Sequence, residues 1–292
     1  MGTHEGEVRQ DNEQAVRSGN RRGDGVALSA SEEREVEHKL PPSVQVLHEA
    51  VRIQGEMEMA RSASALAWSS LAAGLSMGFS MLVPALLQAQ LPDAPAWKLV
   101  VAAGYTVGFL IVILARQQLF TENTTTAVLP LMSKPGLRPL LRLLRLWGIV
   151  LLGNIVGGAV FALAVVHMPI VDAATAGALR EAAAVMLRQA PWVLFSKGIV
   201  AGWLIATMVW LLAATDHSRA LVIVLLTWLV GIGGFAHVVV GSIEALYLVF
   251  EEGTGGARFV AFLLPTLAGN VVGGSMIFAL VSHAQVRSDE PG

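Results

Sequence analysis

The sequence predicts an all-α membrane protein of six transmembrane helices, arranged as an inverted 3+3 repeat with broken second and fifth helices. Three observations carry that expectation. The chain is 54% hydrophobic and only 14% charged, with a mean hydropathy of +0.60, whereas soluble domains carry about 25% charged residues. The phrase Gly153-Asn154-Ile155-Val156-Gly157-Gly158 returns 116 positions later as Gly269-Asn270-Val271-Val272-Gly273-Gly274. Its flank returns too: Phe161 to Val165 leads to His167, and Ile277 to Val281 leads to His283. Finally, two spans are interrupted at matching places in the two halves.

Charge is concentrated at the front. Of 22 acidic residues 12 precede residue 60, as do 7 of the 20 basic ones. Residues 1–42, ending in Pro41-Pro42, are expected to be a disordered cytoplasmic arm, because they hold too little apolar surface to offset the entropy of ordering. Residues 43–62 are expected to be an amphipathic helix on the cytoplasmic surface. There Val44, Val46, Leu47, Val51, Ile53 and Met57 are mixed with Glu49, Arg52, Glu56 and Glu58. Residues 63–286 are the six-span domain, and 287–292 a short C-terminal tail.

A membrane helix needs about 20 mostly apolar residues. The six candidates run Ala63 to Leu87, Trp97 to Leu114, Trp147 to Val166, Trp192 to Ala214, Ala220 to Phe235 and Ala257 to Val281. Several open on Trp, which favours the headgroup interface. After Leu114 the polar run Arg116 to Asn123 precedes a short apolar piece, Thr124 to Met132. After Val230 the run Gly231 to His237 precedes Val238 to Phe250. Neither piece spans a bilayer alone, and irregular backbone at that depth survives only where it lines a cavity or is buried in protein. Lys134, Arg138, Arg142 and Arg145 mark the cytoplasmic side. An even number of spans then puts both termini there, in a multi-pass membrane protein. Three spans per half is an odd number, so the halves are inverted relative to each other.

Other classes are disfavoured. Without cysteine there is neither a disulfide nor a thiolate metal site, and no cofactor is expected. No basic stripe suits nucleic acid. The N-terminus lacks the short apolar core and cleavage site of a signal peptide. His-Glu-x-x-His is absent, and Gly74-Leu75-Ser76-Met77 only loosely fits a membrane serine protease, so no enzyme is expected.

The motifs around the breaks resemble those of the formate/nitrite transporter family, over Pro41 to Val286. Leu119-Phe120-Thr121 is similar to the family's Leu-Phe-Thr in its interrupted second span, and Gly234-Phe235-Ala236-His237 to its Gly-Phe-Glu-His in the fifth. Trp147-Gly148 through Gly153-Asn154 resembles the third span, Lys197-Gly198-Ile199 the opening of the fourth, and Pro265 through Asn270 the sixth. The resemblance implies an aquaporin-like protomer, a homopentamer with one pore per protomer, and passage of small monovalent weak-acid anions together with protons. The chain departs from the pattern with Arg116 for a usual Gly, Glu122 for a small residue, Gln118 for an acid, Ala236 for Glu, and Gly202 and Gly241 where Asn is common.

His237 is the central candidate. An imidazole, whose ordinary pKa is about 6.5, can bond an anion in an apolar channel and hand it a proton. By resemblance Thr121 meets it, orienting the ring or bonding the permeant. Thr121 and Asn123 can also cap the following short helix. Leu119, Phe120, Lys197, Asn154 and Asn270 complete the expected substrate pore. Tyr105 and Phe109, with Leu119, are expected at a cytoplasmic constriction, and Val230 and Ile205 at an outer one. Arg116, Glu122 and Lys197 are costly charges at this depth. Pairing is expected, Arg116 with Glu122 or Glu122 with Lys197. Glu244 lies in the short helix after the fifth-span break. His167 and His283 are read as interfacial. Two rivals share the architecture: a neutral-solute channel of the aquaporin type, whose Asn-Pro-Ala motifs are absent, and a non-transporting sensor or scaffold.

Overall fold

The computed structural model of the chain describes residues 28, 29, 31, 32, 34, 36 and 40, then 42–215, 217–253 and 255–288. The expected disordered arm and C-terminal tail fall mostly outside these residues. Two units divide the chain, Met1–Ser43 and Val44–Gly292. In the first, the backbone N–H and hydroxyl of Ser29 both donate to Glu32 Oε2, at 2.8 and 2.7 Å.

The described residues of the second unit are helices and short connections, with no strand among them. Helix α1 (Val44–Ala60) buries Leu47, His48, Val51, Gly55 and Met59, the spacing of one helical face. On its other face Arg52 pairs with Glu49 at 2.7 Å and Glu56 at 2.5 Å. Those bonds hold the guanidinium above its ordinary pKa and the Glu49 carboxyl below its own. Ser62 starts α2 (Ala63–Gln90) by accepting from the Ala65 N–H at 3.2 Å. Pro95, at the first position of its helix, opens α3 (Pro95–Gly104). This continues through a joint at Tyr105 into α4 (Thr106–Leu114), and together they make one 20-residue apolar span.

The chain then breaks at 115–119 and resumes as α5 (Phe120–Thr126) and α6 (Val128–Ser133). Helix α7 (Leu137–His167) starts ten residues before Trp147. Its first turns carry Arg138, Arg142 and Arg145, so they are helical without being apolar enough for the hydropathy signal. Helix α8 (Ala173–Leu187), which is not among the expected spans, is capped by Asp172 accepting from the Thr175 N–H at 2.8 Å. Helix α9 (Pro191–Ala214) again opens on proline. Helices α10 (Arg219–Gly233) and α11 (Val238–Glu252) meet at a 50° bend and count as one broken span. The last span begins as α12 (Ala257–Val271), widens into a π-helical stretch (Val272–Ala279) and closes as α13 (Leu280–Ser288). Among the described residues five helices are long and apolar enough to cross a membrane, and the bent pair makes six.

The outward faces carry Leu152, Val156, Val160, Trp203 and Leu221, all exposed. Surfaces so apolar are stable in lipid or against another subunit, not in water. Inside, helices approach to backbone contact. A Cβ added at Gly74 would lie 2.2 Å from the Asn154 carbonyl oxygen, and one at Gly202 2.3 Å from that of Asn270. Position 202 therefore has no room for any side chain, which accounts for Gly there.

Candidate functional site

The two breaks are built alike. After α4, the N–H groups of Arg116 and Gln117 donate back to Ile113 and Val112 at 3.1 and 2.9 Å. After α10, those of Gly234 and Phe235 donate to Gly231 and Val230 at 3.2 and 3.1 Å. This pattern ends a helix with a left-handed residue. That residue is Arg116 (φ 53°) in one loop and Gly234 (φ 55°) in the other. Each loop then enters its next helix through an extended residue, Leu119 (φ −103°, ψ 127°) or His237 (φ −102°, ψ 123°). Every residue of the first loop thus has its counterpart 118 positions on.

One asparagine clamps each loop. Asn154 Oδ1 accepts from the Phe120 N–H at 2.9 Å, and its Nδ2 donates to the carbonyls of Ser70 and Gln118, both at 2.9 Å. Asn270 Oδ1 accepts from the Val238 N–H at 2.8 Å, and its Nδ2 donates to Gly198 and Ala236 at 2.9 and 2.8 Å. Both side chains are fully buried. Both amide hydrogens of each are engaged, so neither asparagine has a donor to offer an anion. Each amide holds the backbone of its loop in place.

Between the loops, Thr121 Oγ1 and His237 Nε2 lie 2.8 Å apart. The other ring nitrogen, Nδ1, accepts from the Val240 N–H at 3.4 Å. An amide can only donate, so Nδ1 carries no proton and Nε2–H donates to Thr121. The threonine hydroxyl hydrogen is then left to a further acceptor. Phe109 stands edge-on to the imidazole, with centroids 5.0 Å apart, and Tyr105 follows at 5.5 Å from Phe109. Leu119 and Phe120 are buried at the first loop, the Phe120 ring packed on Trp147 at 5.9 Å.

The remaining candidates scatter. Ile205 and Val230 are buried. A Cβ added at Gly231 would lie 3.2 Å from that of Tyr105. The expected ion pairs are not formed. Among the described residues no salt bridge joins Arg116 to Glu122 or Glu122 to Lys197. Arg116 is exposed, Glu122 half-buried in the first turn of α5, and Glu244 half-buried in α11. Lys197 Nζ rests against the second loop, 3.7 Å from where a Gly234 Cβ would stand.

Some polar contacts carried no sequence signal. Glu58 Oε2, near the end of α1, accepts from Gln118 Nε2 at 2.6 Å and from Arg61 Nη1 at 3.2 Å. Gln118 Oε1 in turn accepts from Asn123 Nδ2 at 3.0 Å. The surface helix is thereby tied to the first loop. His283 is bonded to His48, Nδ1 to Nε2, at 3.0 Å.

Comparison with known proteins agrees with this architecture. A family profile described as formate/nitrite transporter matches residues 45–284. The chain is 49% identical over 254 residues to the "Inner membrane protein YfdC" of Escherichia coli, covering 87% of this chain and 82% of that protein. It is 25% identical over 201 residues to the "Uncharacterized transporter YrhG" of Bacillus subtilis, covering 65% and 74%. Among solved structures, one described as an "FNT family ion channel" superposes with a TM-score of 0.72 at 21% identity, over 82% of this chain and 98% of that one. A "Pentameric formate channel with formate bound" superposes at 0.63 and 18% identity, over 78% and 98%.

Proposed function

The chain belongs to the formate/nitrite transporter family, and on that premise we propose that it is a permease for small monovalent weak-acid anions, with its path between the Thr121 and His237 loops. The observation that carries this reading is the hydrogen-bond relay at the centre: Val240 N–H to His237 Nδ1, then Nε2–H to Thr121 Oγ1. It leaves one hydroxyl hydrogen for an oxyanion beside the apolar Phe109 and Leu119.

Proton participation is part of the proposal. A hydronium ion from bulk water delivers a proton to Nδ1 and leaves as water, and Nδ1 gives up its bond to Val240. The imidazolium passes its Nε2 proton to Thr121 Oγ1, and the threonine hydroxyl hydrogen passes to the anion. The products are the neutral acid and a neutral imidazole protonated on Nδ1. A neutral acid crosses apolar constrictions at far lower cost than an anion. Lys197, beside the second loop, draws the anion in. The assembly proposed is a homopentamer in the bacterial inner membrane with both termini cytoplasmic, as the resemblance and the charge bias suggest.

The test is uptake into proteoliposomes, reported by an internal pH dye after mixing with formate, nitrite, acetate, lactate, hydrosulfide or chloride. Selective weak-acid uptake that His237→Ala abolishes is expected. Wild-type protein that passes none of these anions overturns the reading, and passage of neutral solutes instead would return it to the aquaporin-type alternative.

A further inference from the structure

The matched register of the two loops makes Arg116 conspicuous. Each loop turns through a left-handed residue at the same hydrogen-bonded position, and the second uses Gly234 there. Glycine meets that conformation without strain, while a side chain costs roughly 1–2 kcal/mol. Arg116 carries this cost although it forms no ion pair among the described residues and is exposed. Backbone strain that packing does not require points to a role for the side chain.

The counterpart loop shows what that role is. There the cation comes from a neighbouring helix: Lys197 Nζ stands 3.7 Å from the Cβ position of Gly234. The asparagine clamps give the matching place in the first half. Asn270 bonds the Gly198 carbonyl and Asn154 that of Ser70, so Lys197 corresponds to Ser69. Ser69 is uncharged, and its hydroxyl accepts from the Gln118 N–H at 3.1 Å. The first loop has no lysine reaching it from that position, and the positive charge sits on the loop itself.

Two residues on, the Gln118 side chain leads through Glu58 to Arg61, whose carbonyl accepts from Arg145 Nη2 at 3.1 Å. The first loop is thus linked to the end of the protein that bears the basic cluster.

We propose that Arg116 is the counterpart of Lys197, an anion-attracting cation at the turn of the first loop, so that each break presents one positive charge to the permeant. The inference rests on the path proposed above. Guanidinium binds carboxylates and nitrite-like oxyanions through paired N–H donors, so the residue favours planar oxyanions over halide.

The experiment is initial uptake of formate and of chloride by reconstituted full-length protein, at low and high ionic strength, beside thermal melting. Arg116→Gly should melt higher than wild type, because the strain is gone. At low salt it should need several-fold more formate for half-maximal uptake with the maximal rate kept, and the difference should shrink at high salt. Arg116→Lys should keep the attraction, and Ser69→Lys added to Arg116→Gly should restore part of it. Arg116→Gln keeps the backbone strain and removes only the charge, so it decides the matter if the glycine variant fails to fold. Unchanged half-saturation in Arg116→Gly and Arg116→Gln, in a wild type that does carry formate, overturns the inference alone. A wild type without anion flux overturns the underlying permease reading with it.

Discussion

Asn154 and Asn270 each close three hydrogen bonds with one amide, and no other residue type of that size supplies both donors and the acceptor. Asn154→Ala strands the Phe120 N–H and two carbonyls inside the protein. A loss of about 2–4 kcal/mol is expected, at roughly 1–3 kcal/mol per stranded group with partial relief by relaxation. It should appear as a lower melting temperature in detergent. Thr121→Val is the contrasting change: it matches in shape and removes the only side-chain partner of His237 Nε2 shown by the structure. Near wild-type melting with much reduced weak-acid uptake is expected, and normal uptake would remove Thr121 from the relay. The sequence singled out these four residues but not the clamping bonds of the asparagines, because repetition of a polar residue does not say which groups it bonds. The His48–His283 contact was beyond reading: its partners are 235 residues apart and His48 sits in no repeated phrase.

At the scale of elements, the two breaks were legible because polar and glycine-rich runs interrupt apolar spans. Their register was not. The repeated phrases are 116 positions apart, while the loops match at 118, since the second half has two fewer residues between loop and clamp. Sequence alignment alone sets Thr121 against His237, whereas the backbone sets Leu119 against His237, and the threonine is free to be its partner. Helix packing adds a prediction. Gly202 faces the Asn270 backbone with no space for a methyl group, so Gly202→Ala forces α9 and α12 apart at about 1–3 kcal/mol. A lower melting temperature checks it. Glu58 ties α1 to the first loop, and Glu58→Ala should raise amide hydrogen exchange at residues 116–119 while leaving 234–237 as they were. Equal exchange in both loops would show that the tie does not steady the first.

For the whole molecule, composition and hydropathy foretold an all-α membrane protein, and the number of spans follows once α10 and α11 are taken as one. Composition could not foretell assembly. Leu152, Val156, Trp203 and Leu221 are exposed on the protomer, and a large apolar surface suits lipid and subunit contact alike. If the protein is the proposed homopentamer, native mass spectrometry from mild detergent should return five copies as the main species. A monomer that still carries weak acids would separate the permeation reading from the assembly.

The clamps have a consequence for the order in which the chain matures. Asn154 bonds only residues 70, 118 and 120, and Asn270 only 198, 236 and 238. Each loop is therefore locked by its own half of the polypeptide. During synthesis the first loop can close as soon as α7 has left the ribosome, before any of the second has been made. Bonds that join the halves, among them Thr121 to His237, Thr124 and Thr125 to the π-helical stretch, Trp228 to Leu99 and His48 to His283, come last. The Thr121–His237 contact is the seam of that final docking, completed only when both finished halves meet.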